Sequence, residues 1–245
     1  MKTVLPHSIN AIWRWDLLLF IVSTLPFYLF PQIDLWVSGL FYTHHDQFIW
    51  KHHPLVIGLY LIFGHIHWLL IVLFIGGLIY CVLPKQNAGK RYWRKRLSFL
   101  MITLILGPGL LVNTVLKDHS FGRPRPIQIE QFAGHDDFAP VLHYSGECRH
   151  NCSFVSGHAS IAFYFIVLAW VFKKRRLFWL GVGLGSLVGF IRILQGAHFL
   201  SDIVFAFWVD YIVCLTTASA FQFQFFRTKI TPRLSEKLRL LKIKH

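Results

Sequence analysis

The chain has 245 residues, 55% of them hydrophobic and only 15% charged, with 24 Phe and 9 Trp. Soluble domains carry about 25% charged residues, so this composition, with a mean hydropathy of +0.51, excludes an ordinary water-soluble domain and points to an integral membrane protein. A formal net charge of +14 would suit nucleic acid, but the cations sit where a membrane topology would put them.

A spanning helix needs roughly 20 mostly apolar residues. Six stretches qualify, at 13–30, 56–83, 97–116, 156–172, 177–194 and 203–221. The first has no small-residue cleavage pattern and reads as a retained span rather than a signal peptide. With six spans, the segment before the first, those between the second and third and between the fourth and fifth, and the tail fall on one side. Together they hold 19 of the 25 Lys and Arg. The positive-inside rule assigns that side to the cytoplasm. The expected fold is therefore all-α: an integral membrane bundle of six transmembrane helices with both termini cytoplasmic. It comprises a membrane domain over 1–226 and a basic amphipathic tail over 227–245 resting on the inner leaflet. The lipid bilayer is the expected partner, and nucleic acid is not.

The six remaining cations are Lys51, Lys117, Arg123, Arg125, Arg149 and Arg192. Lys117, Arg123 and Arg125 follow the third span, and Arg192 lies near the outer end of the fifth. His158 opens the fourth span, and His198 and Asp202 lie between the fifth and sixth. Four helix ends thus bring Lys, Arg, His and Asp to one face of the membrane, where polar groups are costly and usually functional. Cations with few matching carboxylates suit a phosphate, Arg by paired hydrogen bonds and Lys as a point charge. Ser156-Gly157 at a helix start offers backbone N–H groups and the positive end of a dipole. Gly157 lets the backbone approach an oxyanion. Two histidines add nucleophilic attack and proton transfer. His198 and Asp202, four apart, share a face on a helical turn.

Three segments together, KDHSFGRPRP (117–126), SFVSGH (153–158) and RILQGAHFLSD (192–202), resemble the type 2 phosphatidic acid phosphatase superfamily. The resemblance covers about 111–205, and three ordered motifs on one face make it specific. Two features depart from the family pattern. The first motif normally has six residues between its Lys and the Arg of Arg-Pro, whereas here Lys117 precedes Arg123 by five intervening residues and Arg125 by seven. Arg125 is the preferred phosphate ligand and Arg123 the alternative. Ile191 and Val155 stand where many members have Ser and Pro.

The resemblance implies a mechanism. His198 attacks phosphorus and becomes a phosphohistidine, Asp202 orients it, and His158 protonates the leaving oxygen and then activates water. Lys117, Arg125, Arg192 and the Ser156/Gly157 backbone hold the phosphoryl oxygens. No cofactor or metal is called for. The implied substrate is a phosphorylated membrane lipid. Two cysteines ahead of Ser-Gly-His resemble bacterial members that trim lipid A, at the 4′ position ahead of the 1 position. Undecaprenyl pyrophosphate and phosphatidylglycerophosphate remain alternatives. The implied location is the bacterial inner membrane, with the site facing the periplasm. There Cys148 and Cys152 would meet an oxidising compartment and are candidates for a disulfide. A vanadate-dependent haloperoxidase shares the constellation but is soluble. A scaffold or transporter that kept the motifs is the non-enzymatic alternative.

Elsewhere plainer readings hold. The histidines of THHDQFIWKHH (43–53) read as a headgroup-level loop rather than a metal site. His65 and His67 read as polar packing inside the bundle, and Cys81 and Cys214 as core. Asp16 and Asp210 are intramembrane acids, the first with Arg14 at hand.

Overall fold

A computed structural model describes residues 7–43, 47–83 and 87–223, with the side chains of 7–14 outside the description. The tail at 227–245, the pairing of Arg14 with Asp16, and His44 and His45 of the histidine-rich loop all lie outside the described residues.

The described residues are mostly helical. α1 (His7–Leu29) and α2 (Gln32–Gly39) come first, then a two-stranded antiparallel ribbon, β1 (Tyr42–Thr43) with β2 (Gln47–Phe48). α3 (Pro54–Val82) follows, and α4 (Ala88–Leu104) continues as a π-helical segment over Ile105–Leu116. After a long outer loop come α5 (Gly157–Phe163), a 3₁₀ turn (Tyr164–Val167) and α6 (Leu168–Phe172), one nearly continuous rod. α7 (Arg175–Leu194) and α8 (Leu200–Ala220) complete the chain.

Among the described residues four helices are long and apolar enough to cross a membrane: α3, α4 with its π continuation, α7 and α8. α1 and α2 would make a fifth if taken as one broken span, and Gly157–Phe172 is a shorter apolar helix. The expected first span, 13–30, coincides with α1, and the break follows its end. The chain bends by 85° between α1 and α2 at Pro31, whose missing N–H cannot continue the hydrogen-bond ladder. The turn carries Asp34 inward, fully buried.

Close approach between helices is set by small residues. On α7, Gly181, Gly185 and Gly189 recur at four-residue spacing. A Cβ at Gly181 would overlap the backbone of Ile166, at Gly185 the ring of Phe163, and at Gly189 the side chain of Ile203. α7 thereby packs tightly on the α5–α6 rod and on α8, the small-residue mode of membrane helices. Below the site a core of Phe99, Tyr164, Ile166, Trp170 and Val188 fills the bundle. α3 keeps much of its surface outward. His65 is exposed there and turns its Nδ1 back to Leu61 O at 2.9 Å, so it is not packed inside the bundle.

Candidate active site

Arg192 at the last turn of α7, His198 between α7 and α8, Asp202 in the first turn of α8 and His158 in the first turn of α5 meet at one end of the bundle. Lys117, just past the π-helical segment, joins them, with Arg125 from the outer loop. The electrostatic influence of Arg192, His198, Lys117 and Arg125 all reaches His158.

His198 is fully buried. Its Nδ1 pairs with Ser153 O at 2.8 Å, and Asp202 Oδ2 stands 3.5 Å from the same nitrogen. Nδ1–H donating to the carbonyl leaves Nε2 without the proton, and Nε2 is buried with no hydrogen-bond partner. Burial, with Arg192 and Lys117 nearby, pushes the ring down to about 3, against the pull of Asp202. The imidazole is neutral at physiological pH, with one lone pair unengaged.

Asp202 does more than face a histidine. Its Oδ1 accepts from Arg123 Nη1 at 2.6 Å, and its Oδ2 accepts from Ser153 Oγ at 2.5 Å and Phe199 N at 2.8 Å. The main orienting contact of His198 is thus the Ser153 carbonyl, and Asp202 holds Ser153 in turn. Ser153 N also donates to Arg123 O at 2.9 Å. One serine therefore links all three motif segments.

Arg123 and Arg125 have different environments. Arg123 is 1% exposed. Its guanidinium donates to Ala139 O, Ser201 Oγ, Asp202 and Asp34, the last at 2.8 Å. Asp34 in turn accepts from Ser201 N and Ser201 Oγ. This buried Asp34–Arg123–Asp202 array ties α2 and the outer loop to α8. Arg125 is half-buried and donates through Nε and Nη2 to Asn151 O, at 3.2 and 2.8 Å. Lys117 Nζ donates to Asn151 Oδ1 at 2.6 Å. Burial first, then Arg125 and Arg192, lower Lys117 to about 8. Arg192 donates to Gln195 Oε1 through Nη1 and leaves Nε without a partner.

Asn151 belongs to the loop closed by a disulfide between Cys148 and Cys152, whose Cα atoms are 5.6 Å apart. Ser156 caps α5, its Oγ accepting from Ala159 N, while its own N–H goes to Asp202 O. Gly157 has no room for a side chain, since a Cβ would stand 2.5 Å from Asn113 Oδ1. Tyr60 of α3 stacks on His158, ring centroids 4.6 Å apart. Asp34, Asn151 and Tyr60 lie outside the three motif segments, and Ser201 lies in the third without being one of its spaced Arg, His or Asp positions. Asp34 alone had a local signal, an acid placed just after a proline at the end of an apolar run. Among the described residues no cluster of His, Cys, Asp and Glu is arranged to hold a metal ion.

Residues 96–226 match the PAP2 superfamily. The chain is 36% identical over 193 residues to a lipid A 4′-phosphatase of Francisella tularensis subsp. novicida, covering 73% of this chain and 82% of that one. A lipid A 4′-phosphatase of Rhizobium leguminosarum is 32% identical over 219 residues, covering 82% of this chain and 90% of its own. The phosphatidylglycerophosphatase B of Bacillus subtilis is 32% identical over 131 residues, covering 49% of this chain and 57% of its own. No solved structure matches the chain. With the family match reaching across the outer loop, α5, α7 and α8, and with relatives similar over most of its length, the chain belongs to the PAP2 superfamily.

Proposed function

We propose that this protein removes the 4′-phosphate of lipid A at the periplasmic face of the bacterial inner membrane, through a phosphohistidine formed on His198. Family and relatives make it a membrane lipid phosphatase, a phosphoric monoester hydrolase. The choice of lipid rests on relatives named lipid A 4′-phosphatase, similar over most of the chain.

The observation that carries the mechanism is the buried, unpartnered Nε2 of His198. Its lone pair attacks phosphorus while the bond to the lipid oxygen breaks, and His158, as the imidazolium that the negative charge of a bound phosphate would favour, gives that oxygen a proton and becomes the neutral ring. The positive charge that develops on His198 spreads to Nδ1–H, where the Ser153 carbonyl and the Asp202 carboxylate stabilise it. Lys117, Arg125 and Arg192 hold the three phosphoryl oxygens as charge shifts, with the Ser156-Gly157 turn behind them. His158, now without its proton, takes one from water, and the resulting hydroxide releases phosphate from His198. Asn151 would give up Lys117 and Arg125 to the substrate. Arg123, with its donors committed to Asp34, Asp202, Ser201 and Ala139, acts as a strut rather than a phosphate ligand.

Six spans are the finer reading of the topology. The broken α1–α2 pair and the Gly157–Phe172 rod join the four long helices, with both termini cytoplasmic. This arrangement sets the site in the outer half of the bilayer, level with a lipid headgroup.

The test is phosphate release by the purified protein in detergent, with chelator, from lipid A, phosphatidylglycerophosphate, undecaprenyl pyrophosphate and phosphatidic acid. Release from lipid A that is lost in His198→Ala, with the fold retained, is the expected result. Preference for phosphatidylglycerophosphate would move the assignment toward the Bacillus subtilis relative. No release from any lipid would favour a scaffold.

A further inference from the structure

α3 carries none of the three motifs, yet one of its faces reaches the site. The Tyr60 ring stacks on the His158 imidazole with 20° between the planes. The Arg192 guanidinium lies over the same ring, its central carbon 4.7 Å from the centroid, within cation–π range. One turn along, Gly64 faces the same histidine, and a Cβ there would stand 3.2 Å from His158 Nε2. Residues four apart share a helix face. Tyr60 and Gly64 therefore form a seat for the imidazole, with an aromatic plane against its face and a gap at its edge. Tyr60 is also 37% exposed, more open than a core packing residue, and its two ring neighbours are site residues.

We infer that Tyr60 and Gly64 are positioning residues for the phosphoryl transfer: they fix the plane of the His158 ring and the guanidinium of Arg192. The inference rests on the function proposed above. An imidazole turns freely about two side-chain bonds unless something holds it, and a misplacement of about 1 Å at a reacting group costs on the order of a hundredfold in rate. Stacking supplies the hold on one side. The absence of a side chain at residue 64 lets the ring lie flat against α3.

The experiment compares wild type, Tyr60→Phe, Tyr60→Leu and Gly64→Ala in detergent by two readouts. One is kcat and KM on lipid A. The other is the NMR signal of the His158 ring protons, identified by their loss in His158→Gln, which carry the ring-current shift of a stacked aromatic. Tyr60→Leu should lose that shift and lower kcat severalfold, up to roughly tenfold, with Tyr60→Phe restoring both, because an aromatic pair is worth up to about one factor of ten. Gly64→Ala should keep the stack but displace the ring, lowering kcat with a smaller change in KM. If Tyr60→Leu keeps both the ring-current shift and the wild-type kcat, the inference is overturned. Wild type inactive on every lipid, with the shift still lost in Tyr60→Leu, would overturn the function and leave the seat standing.

Discussion

Arg123 and Arg125 are two positions apart, identical in charge and each followed by proline, yet they face different tasks. Arg123 is sealed between Asp34 and Asp202; Arg125 reaches only a main-chain oxygen of Asn151. Removing one member of a buried charge array leaves the others uncompensated, at about 3–5 kcal/mol. Arg123→Gln is therefore expected to fail to accumulate or to melt far below wild type. Arg125→Gln is expected to keep the wild-type melting temperature and raise KM tenfold or more, since a hydrogen bond to a charged group is worth about 1.5–3 kcal/mol. Melting curves and kinetics on both proteins check the pair. Lys117 supplies a second residue-scale prediction. Its pKa is lowered to about 8 from the usual 10.5, because burial and neighbouring cations disfavour its charge. A bound phosphate favours the charged form. Above pH 8 binding must therefore reprotonate the amine, and KM should rise toward tenfold per pH unit while kcat changes little. In Lys117→Arg the cation keeps its charge, so that alkaline rise should vanish even though KM at pH 7 is altered. A KM–pH profile from 6 to 10 decides it.

The helices differ in how much of them could be read in advance. α3, α7 and α8 lie within a few residues of the apolar runs, because hydropathy over some 20 residues is a local property. The break at Pro31 has a local cause in the proline, but what buries Asp34 is not local. Asp34 is paired across 89 residues with Arg123, and no spacing rule reaches that far. The site divides the same way. Lys117, His158, Arg192, His198 and Asp202 sit in recognisable motifs, but the contact that orients His198 comes from a main-chain carbonyl, which every residue has. Tyr60 comes from a helix with no motif at all. The glycine stripe of α7 was legible only as composition, and its role depends on what packs against it. Gly181 meets backbone of the 3₁₀ turn, which cannot move aside like a side chain, and Gly185 meets a ring. Gly181→Leu should thus separate α7 from the α5–α6 rod. That would pull Arg192 on α7 away from His158 on α5, and the protein should lose both activity and heat resistance. Gly183, with no neighbour within 4 Å of a Cβ, is the control: Gly183→Leu should leave the melting temperature and activity near wild type.

At the scale of the whole molecule, sidedness decides which lipid the site can meet. α4 and its π continuation form a 29-residue rod of roughly 40 Å, the α part rising about 1.5 Å per residue and the more tightly coiled π part less, which is longer than the roughly 30 Å hydrocarbon core. Set across the bilayer, as the proposed topology has it, the rod would put its two ends on opposite sides. One end carries Lys90, Arg91, Arg94, Lys95 and Arg96, and the other leads into Lys117 and the disulfide loop. A cluster of five cations stays cytoplasmic under the positive-inside rule, so the loop and the site should be periplasmic. Cys81 and Cys214, outside the disulfide, are buried and give little background to a thiol reagent. In intact spheroplasts treated with an impermeant reductant, Cys148 should react with an impermeant maleimide. An exposed-site variant at the other end of the rod, Arg91→Cys, should gain label only after permeabilisation. Labelling in the reverse order would put the site on the cytoplasmic face, where lipid A of the outer leaflet never comes within reach of His198, and would turn the assignment toward a phospholipid made on that side.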